Sequence, residues 1–128
     1  MPLAVPPVLS LYRASQTAYD PPSDPPIRPL PVPLSIEQIV RESARAYRLS
    51  EEHLLALAVC ESSMRPEAVG DGGLSVGLFQ FQEATWRRWG EGNRTDAAAS
   101  ARAAARKASV EGTYRGGWSI CSEKLGLP

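Results

Sequence analysis

From Leu34 onward, apolar residues recur at helical spacing. Ile36, Ile39, Val40, Ala44 and Tyr47 share one face, which predicts an amphipathic helix running through Arg48. Ser35, with Gln38 three positions later, forms the capping box that would start it. Ser50 is placed to cap a second helix, with Glu51 and Glu52 in the first turn where the helix dipole favours anions. Leu54, Leu55, Leu57, Ala58 and Val59 then surround much of that helix with apolar side chains, so it is expected to be the central buried one. Pro66 and the group Gly70, Gly72, Gly73 and Gly77 mark a loop or short strand turns. A third helix is predicted from Gln82 to Trp89, ending near Gly90. After a turn at Gly92 to Thr95, the segment Asp96 to Glu111 contains eight alanines, a strong helix signal that Gly112 is placed to end. Tyr114 to Leu125 reads as a loop with a short helical turn. The fold class is mainly α, without an evident internal repeat.

Proline divides the chain. Ten of the twelve prolines lie within the first 33 of the 128 residues, so residues 1–33 are expected to form an extended Pro-rich N-terminal arm and residues 34–128 a single small domain. Each proline removes an amide donor and holds its predecessor extended, which favours polyproline II over helix or sheet. Such an arm is either a solvated spacer or a docking segment whose Leu3, Val5, Val8, Leu9, Leu11, Tyr12 and Tyr19 lie on a partner protein or along the domain's own surface. No Lys or Arg precedes the first apolar stretch, and Pro2, Pro6 and Pro7 interrupt it, so no secretion signal is expected there. No run approaches the roughly 20 apolar residues that span a bilayer. A soluble protein is expected, with any export by another route.

Charge and composition narrow the chemistry. Fourteen Lys and Arg balance fourteen Asp and Glu, so there is no long-range attraction to phosphate, which disfavours nucleic acid and anionic membranes as partners. His53, Cys60 and Cys121 fall short of a structural zinc site, and no nucleotide-cradling glycine motif is present; neither a metal nor a cofactor is expected. Glu61 is the informative position. It follows Leu57 by four residues and Ala58 by three, which places its carboxyl on a largely apolar helix face. Loss of water and the carbonyl dipoles of a helix C-terminus should both raise its pKa. A carboxylic acid that holds its proton near neutral pH can give it to a leaving oxygen, as glycoside cleavage requires. The alternative is a Glu61 that points outward from the helix end and is merely solvated.

The run Glu61-Ser62-Ser63-Met64-Arg65-Pro66-Glu67-Ala68-Val69-Gly70, then Leu74-Ser75-Val76-Gly77-Leu78-Phe79-Gln80-Phe81, then Ala84-Thr85-Trp86, resembles the lysozyme-like soluble lytic transglycosylases. Their motifs are a catalytic Glu-Ser, a loop of Asn/Pro-x-Ala-Val type, Gly-Leu-x-Gln and a following Thr-Trp, in this order. The resemblance runs from about Leu34 to Leu125 and is carried mostly by Glu61 to Trp86. It implies a mainly helical lysozyme-like domain with a cleft for the alternating N-acetylglucosamine and N-acetylmuramic acid strand of peptidoglycan. Glu61 would match the acid/base, protonating the glycosidic oxygen and later taking a proton from the muramic 6-hydroxyl as a 1,6-anhydro ring closes. The substrate's own acetamido group can stabilise the positive centre in that route, so no second carboxylate is required.

By the same resemblance, Ser62 and Ser75 would surround the acid and position the acetamido group, Gln80 would contact sugar through its amide, and Gly77 would let backbone approach the ligand. As ordinary structure, the serines are loop or helix-end partners, Gln80 a surface residue and Gly77 a turn. Phe79 and Phe81 read as core. Trp86, Trp89 and Trp118 pack in a core or stack on sugar faces. The family's later Tyr, often in Ala-Tyr-Asn, lies opposite the acid; that triplet is absent here, and Tyr114 in Gly112-Thr113-Tyr114-Arg115-Gly116 is the nearest candidate. Cys121, in Gly117-Trp118-Ser119-Ile120-Cys121, resembles a Trp-x-x-Cys ending of some small secreted relatives, which suggests a disulfide with Cys60; the alternative is two buried free thiols.

These features point to a peptidoglycan lytic transglycosylase. With no secretion signal and a Pro-rich arm, it is expected in a virion, carried to the wall by a phage tail or injection apparatus whose subunits the arm would contact; a released endolysin or a secreted bacterial enzyme are the other routes to the cell wall. Two rivals remain open. A lysozyme-type hydrolase would pair Glu61 with Asp71, Glu83, Glu91 or Asp96 to hold water, an inverting pair being typically about 6.5–9.5 Å apart. A structural tail protein would use the cleft only to bind glycan.

Overall fold

A computed structural model describes residues 32–128. The Pro-rich arm, apart from its last two residues, lies outside the described residues, and so do the contacts expected of Leu3 to Tyr19. Helix α1 (Ile36–Ala46) starts at Ser35, whose hydroxyl accepts from the Gln38 amide at 3.1 Å while the Gln38 side chain accepts from the Ser35 amide at 2.9 Å. The helix ends at Tyr47. Arg48 then turns the chain through a positive φ of 57° into α2 (Glu51–Ser62), capped by the Ser50 hydroxyl. Arg41 reaches from α1 to Glu51 and Glu52 across this corner, a partly exposed ion-pair network that fixes the approach of the two helices more than it stabilises them.

Ser63 and Met64 close α2, both left-handed at φ 54° and 63°, a conformation that costs a non-glycine residue about 1–2 kcal/mol. The Met64 side chain packs on the core and holds the reversal in place. The returning chain makes a minimal antiparallel pair, β1 (Val69–Gly70) with β2 (Ser75–Val76), joined by a 3₁₀ turn at Asp71–Gly73. Leu78, Phe79 and Phe81 follow and are buried, as read from the sequence for the two phenylalanines. Helix α3 (Glu83–Trp89) stops at Gly90, where the Trp86 ring lies where a β-carbon would be. Helix α4 (Ala97–Glu111) is capped by the Asp96 carboxylate and ended by Gly112, and α5 (Ser119–Leu125) completes the mainly helical domain. The last segment is thus more ordered than a loop with one turn.

One expectation is corrected. The Leu-rich α2 is not the most buried helix: Val59 on its outer face is 54% exposed. That place belongs to α4, whose Ala99, Ala101, Ala103, Ala104, Ala105 and Ala108 are all buried. Small side chains let this helix lie close against both α1 and α3, so burial is achieved by proximity and not by large apolar side chains. Hydropathy patterning weighs the leucines and misses this.

Cys60 at the end of α2 and Cys121 in α5 form a disulfide, with Cα atoms 6.0 Å apart. Closing a loop across a separation of 61 residues removes denatured-state entropy worth about 4 kcal/mol in the chain-entropy model. It also draws the segment 116–121 beside the C-terminal turn of α2. Replacing fully buried Ala104 by Leu overfills the core and is expected to destabilise the domain by about 1–3 kcal/mol in urea unfolding, whereas the same change at exposed Ala98 should have little effect.

Candidate active site

The described residues form a cavity of about 420 Å³, large enough for a sugar-sized ligand, between the end of α2, the β1–β2 loop and the start of α5. Glu61 lines it, with Asp71, Ser75 and Gln80 from the loop, Gln82 and Thr85 at the start of α3, Lys107 from α4, and the stretch from Gly116 to Cys121. The disulfide assembles this wall. Once Cys121 is joined to Cys60, the preceding Gly116, Gly117 and Trp118 have to lie next to Glu61.

Glu61 is partly buried, and its pKa is raised to about 7, first by loss of water and second by the negative charge of Asp71. The first cause is the one expected from the apolar face. The second was invisible in the sequence, where Asp71 was only one of four acidic residues available to a hydrolase. Of the others, Glu83 is exposed and paired with Arg87, Glu91 lines a separate cavity, and Asp96 caps α4. Asp71 sits at φ 51° and accepts a 2.5 Å hydrogen bond from the Ser75 hydroxyl. Ser75, 2% exposed, thereby holds the Asp71 carboxylate at the cavity rim.

Gln80 lines the cavity, but its amide nitrogen is committed to the loop, donating to Ala68 O at 3.0 Å and Gly77 O at 2.9 Å. Its side-chain oxygen lies 2.4 Å from the position of a β-carbon on Gly70, so a side chain there would displace the Gln80 amide. Gln80 therefore shapes the loop, and its amide nitrogen is occupied where a sugar contact was expected. Gly77 is required by the fold itself: at φ 96°, a β-carbon would lie 2.2 Å from Arg94 O. The close approach is to the chain's own backbone. Ser62 is buried, away from the cavity lining, and returns its hydroxyl to Ala58 O at 3.0 Å, the usual habit of a serine at a helix end.

Tyr114 is also placed elsewhere. It is 3% exposed, lies between the His53 and Trp118 rings, and lines a second cavity with Arg48, Ser50 and His53. Its hydroxyl is buried with no hydrogen-bond partner among the described residues, and burial pushes its pKa up. Trp86 and Trp89 are core residues. Trp118 combines both expectations: the indole is 4% exposed, donates to Phe79 O at 2.8 Å, and still lines the cavity. Sequence reasoning missed Lys107, Gly116 and Gly117. The available signal is the Gly-Gly-Trp triplet shortly before Cys121, the expected partner of the residue next to Glu61.

Among the described residues no cluster of three or more His, Cys, Asp or Glu side chains could hold a metal ion, and no helix is long and apolar enough to cross a membrane. A family model described as Transglycosylase SLT domain matches residues 38–111, more than half of the chain. Comparisons with curated proteins and with solved structures gave no match.

The raised pKa has a sign that stability can read. Between the ordinary carboxylate value of 4.5 and about 7, folded Glu61 binds a proton that the unfolded chain releases, so its contribution to stability falls as pH rises through that window. Glu61→Gln lacks this loss. The melting temperature of the variant relative to the parent is expected to be flat below about pH 4.5 and to climb towards a plateau above about pH 7; a difference independent of pH would contradict the shift.

Proposed function

The chain belongs to the transglycosylase SLT domain family, a lysozyme-like family of peptidoglycan-degrading enzymes, and from that premise we propose that it cleaves the N-acetylmuramic acid to N-acetylglucosamine bond with a 1,6-anhydro product. The observation that carries this reading is Glu61 in the cavity wall with its pKa near neutrality. The protonated carboxyl gives its proton to the bridging oxygen, the bond from the muramic anomeric carbon to that oxygen breaks, and the N-acetylglucosamine hydroxyl leaves. The substrate's acetamido group stabilises the anomeric carbon. The Glu61 carboxylate then removes the proton of the muramic 6-hydroxyl, whose oxygen closes the anhydro ring; Glu61 is protonated again and no water is consumed.

Loss of water first, and the negative charge of Asp71 second, keep the acid protonated, and Ser75 orients Asp71. Gln80, through Ala68 and Gly77, keeps the β1–β2 loop in the shape that places Asp71 at the rim. The expected setting is the bacterial wall, reached either as a virion component docked through its Pro-rich arm or by export. Muropeptide analysis of purified cell walls after incubation with the protein should yield anhydro-muropeptides, and Glu61→Gln should abolish their release while glycan binding persists. A phenotype unchanged by Glu61→Gln would make the domain a glycan-binding structural module.

One observation favours a second reading: Asp71 shares the cavity with Glu61, as the water-holding carboxylate of a hydrolase would. New reducing ends in place of anhydro termini would establish hydrolysis. Asp71→Asn separates the roles. If Asp71 acts only by its charge, the variant keeps turnover, and the alkaline limb of its kcat/KM profile, near pH 7 for the parent, moves to lower pH as Glu61 becomes more acidic. If Asp71 holds water, turnover falls by roughly a hundredfold or more at every pH.

A further inference from the structure

Lys107 is the buried charge that the proposed chemistry does not use. Its side chain is 4% exposed, emerges from the Ala-rich face of α4 and reaches the cavity wall, with Nζ 5.2 Å from the centre of the Trp118 ring. Nζ donates one hydrogen bond, to Glu111 one helical turn later. An ammonium has three donors, so two remain without a protein acceptor among the described residues. The charge itself is paired through Glu111, as a buried charge must be, but its remaining donors are free to bind.

Gly116 and Gly117 border the cavity at the same point. Neither has the positive φ that would demand glycine, but each leaves room for the ion pair: a β-carbon on Gly117 would lie 2.9 Å from Lys107 Nζ, and one on Gly116 would lie 2.7 Å from Glu111 Oε1, so either would have to displace a charged group. Two consecutive residues without side chains thus leave a window over the ion pair. The window opens into the cavity that holds Glu61, on the side walled by Trp118.

We propose that Lys107, seen through the Gly116–Gly117 window, is a carboxylate subsite of the glycan cavity. The inference rests on the peptidoglycan reading above and specifies which part of that substrate is recognised. Muramic acid differs from glucosamine by a 3-O-lactyl group, which ends in a free carboxylate on strands stripped of peptide and in an amide where a peptide stem begins; the stem carries its own carboxylates. Lys107 accepts this chemistry with its two unfilled donors, while Glu111 keeps the charge aligned and Trp118 supplies the flat face beside it. Strands of N-acetylglucosamine alone carry no carboxylate and would leave the donors unfilled.

The test uses the full chain with Glu61→Gln, so that glycans bind without turnover, and measures the affinity of three probes by calorimetry: chitooligosaccharide, peptide-free peptidoglycan strands, and stem-bearing strands. Adding Lys107→Met is expected to weaken carboxylate-bearing strands by roughly ten- to hundredfold, the effect of losing a charge-assisted hydrogen bond, and to leave chitooligosaccharide unchanged. A loss confined to peptide-free strands identifies the lactyl carboxylate, and a loss on stem-bearing strands identifies a carboxylate of the stem. Gly117→Ala is the second variant, for use also if Lys107→Met fails to fold: it keeps the charge, closes the window and should produce the same selective loss. Equal losses on all three probes, or none on any, overturn the subsite. Failure of the Glu61→Gln protein to bind any glycan overturns the peptidoglycan reading itself, and the subsite with it.

Discussion

A carboxyl group kept short of water and facing a second negative charge is the constraint from which the chemistry follows. Glu61 ends an apolar helix, so part of its hydration is lost, and Asp71, which lines the same cavity, opposes its ionisation. Neither partner is a cation, which would have pulled the pKa down. The resulting acid is poised near neutral pH, where a group can both give and regain a proton within one catalytic cycle.

Much of the remaining structure keeps that pair in place. The helix bearing Glu61 is anchored at its start by Ser50 and the Arg41 network and at its end by the Cys60–Cys121 disulfide. The loop bearing Asp71 is tied by Gln80 to Ala68 and Gly77, by Arg94 to Leu74 O and Phe81 O, and by Ser75 to the carboxylate itself. Among the described residues, four of the five non-glycine residues with positive φ, Ser63, Met64, Asp71 and Gln80, lie in or beside this site. Backbone strain concentrates where the two carboxyls are held.

The helices were legible in the sequence because their signals are local: the Ser35–Gln38 box, the Ser50 cap, the alanine run after Asp96, Gly90 and Gly112 at the ends. Glu61 could be singled out as the candidate acid for the same reason, since helix periodicity and the Glu-Ser motif both concern neighbours on one element. What could not be read depends on pairs far apart in the chain. Asp71 approaches Glu61 only through the hairpin, Gly77 answers to Arg94, and Lys107 reaches the cavity through a packing of α4 that alanine composition does not announce. Ser62 and Tyr114 show the converse: residue type and motif position suggested a site, and their actual surroundings, a helix carbonyl and a ring stack, place them outside the cavity lining.

Titration of the Glu61 side-chain carboxyl by carbon NMR, with Glu61→Gln to assign the resonance, tests the central claim most directly. A midpoint near 7 is expected, moving downward in Asp71→Asn. A midpoint at the ordinary value of 4.5 would show a solvated carboxylate, already ionised at neutral pH and unable to serve as the proton donor.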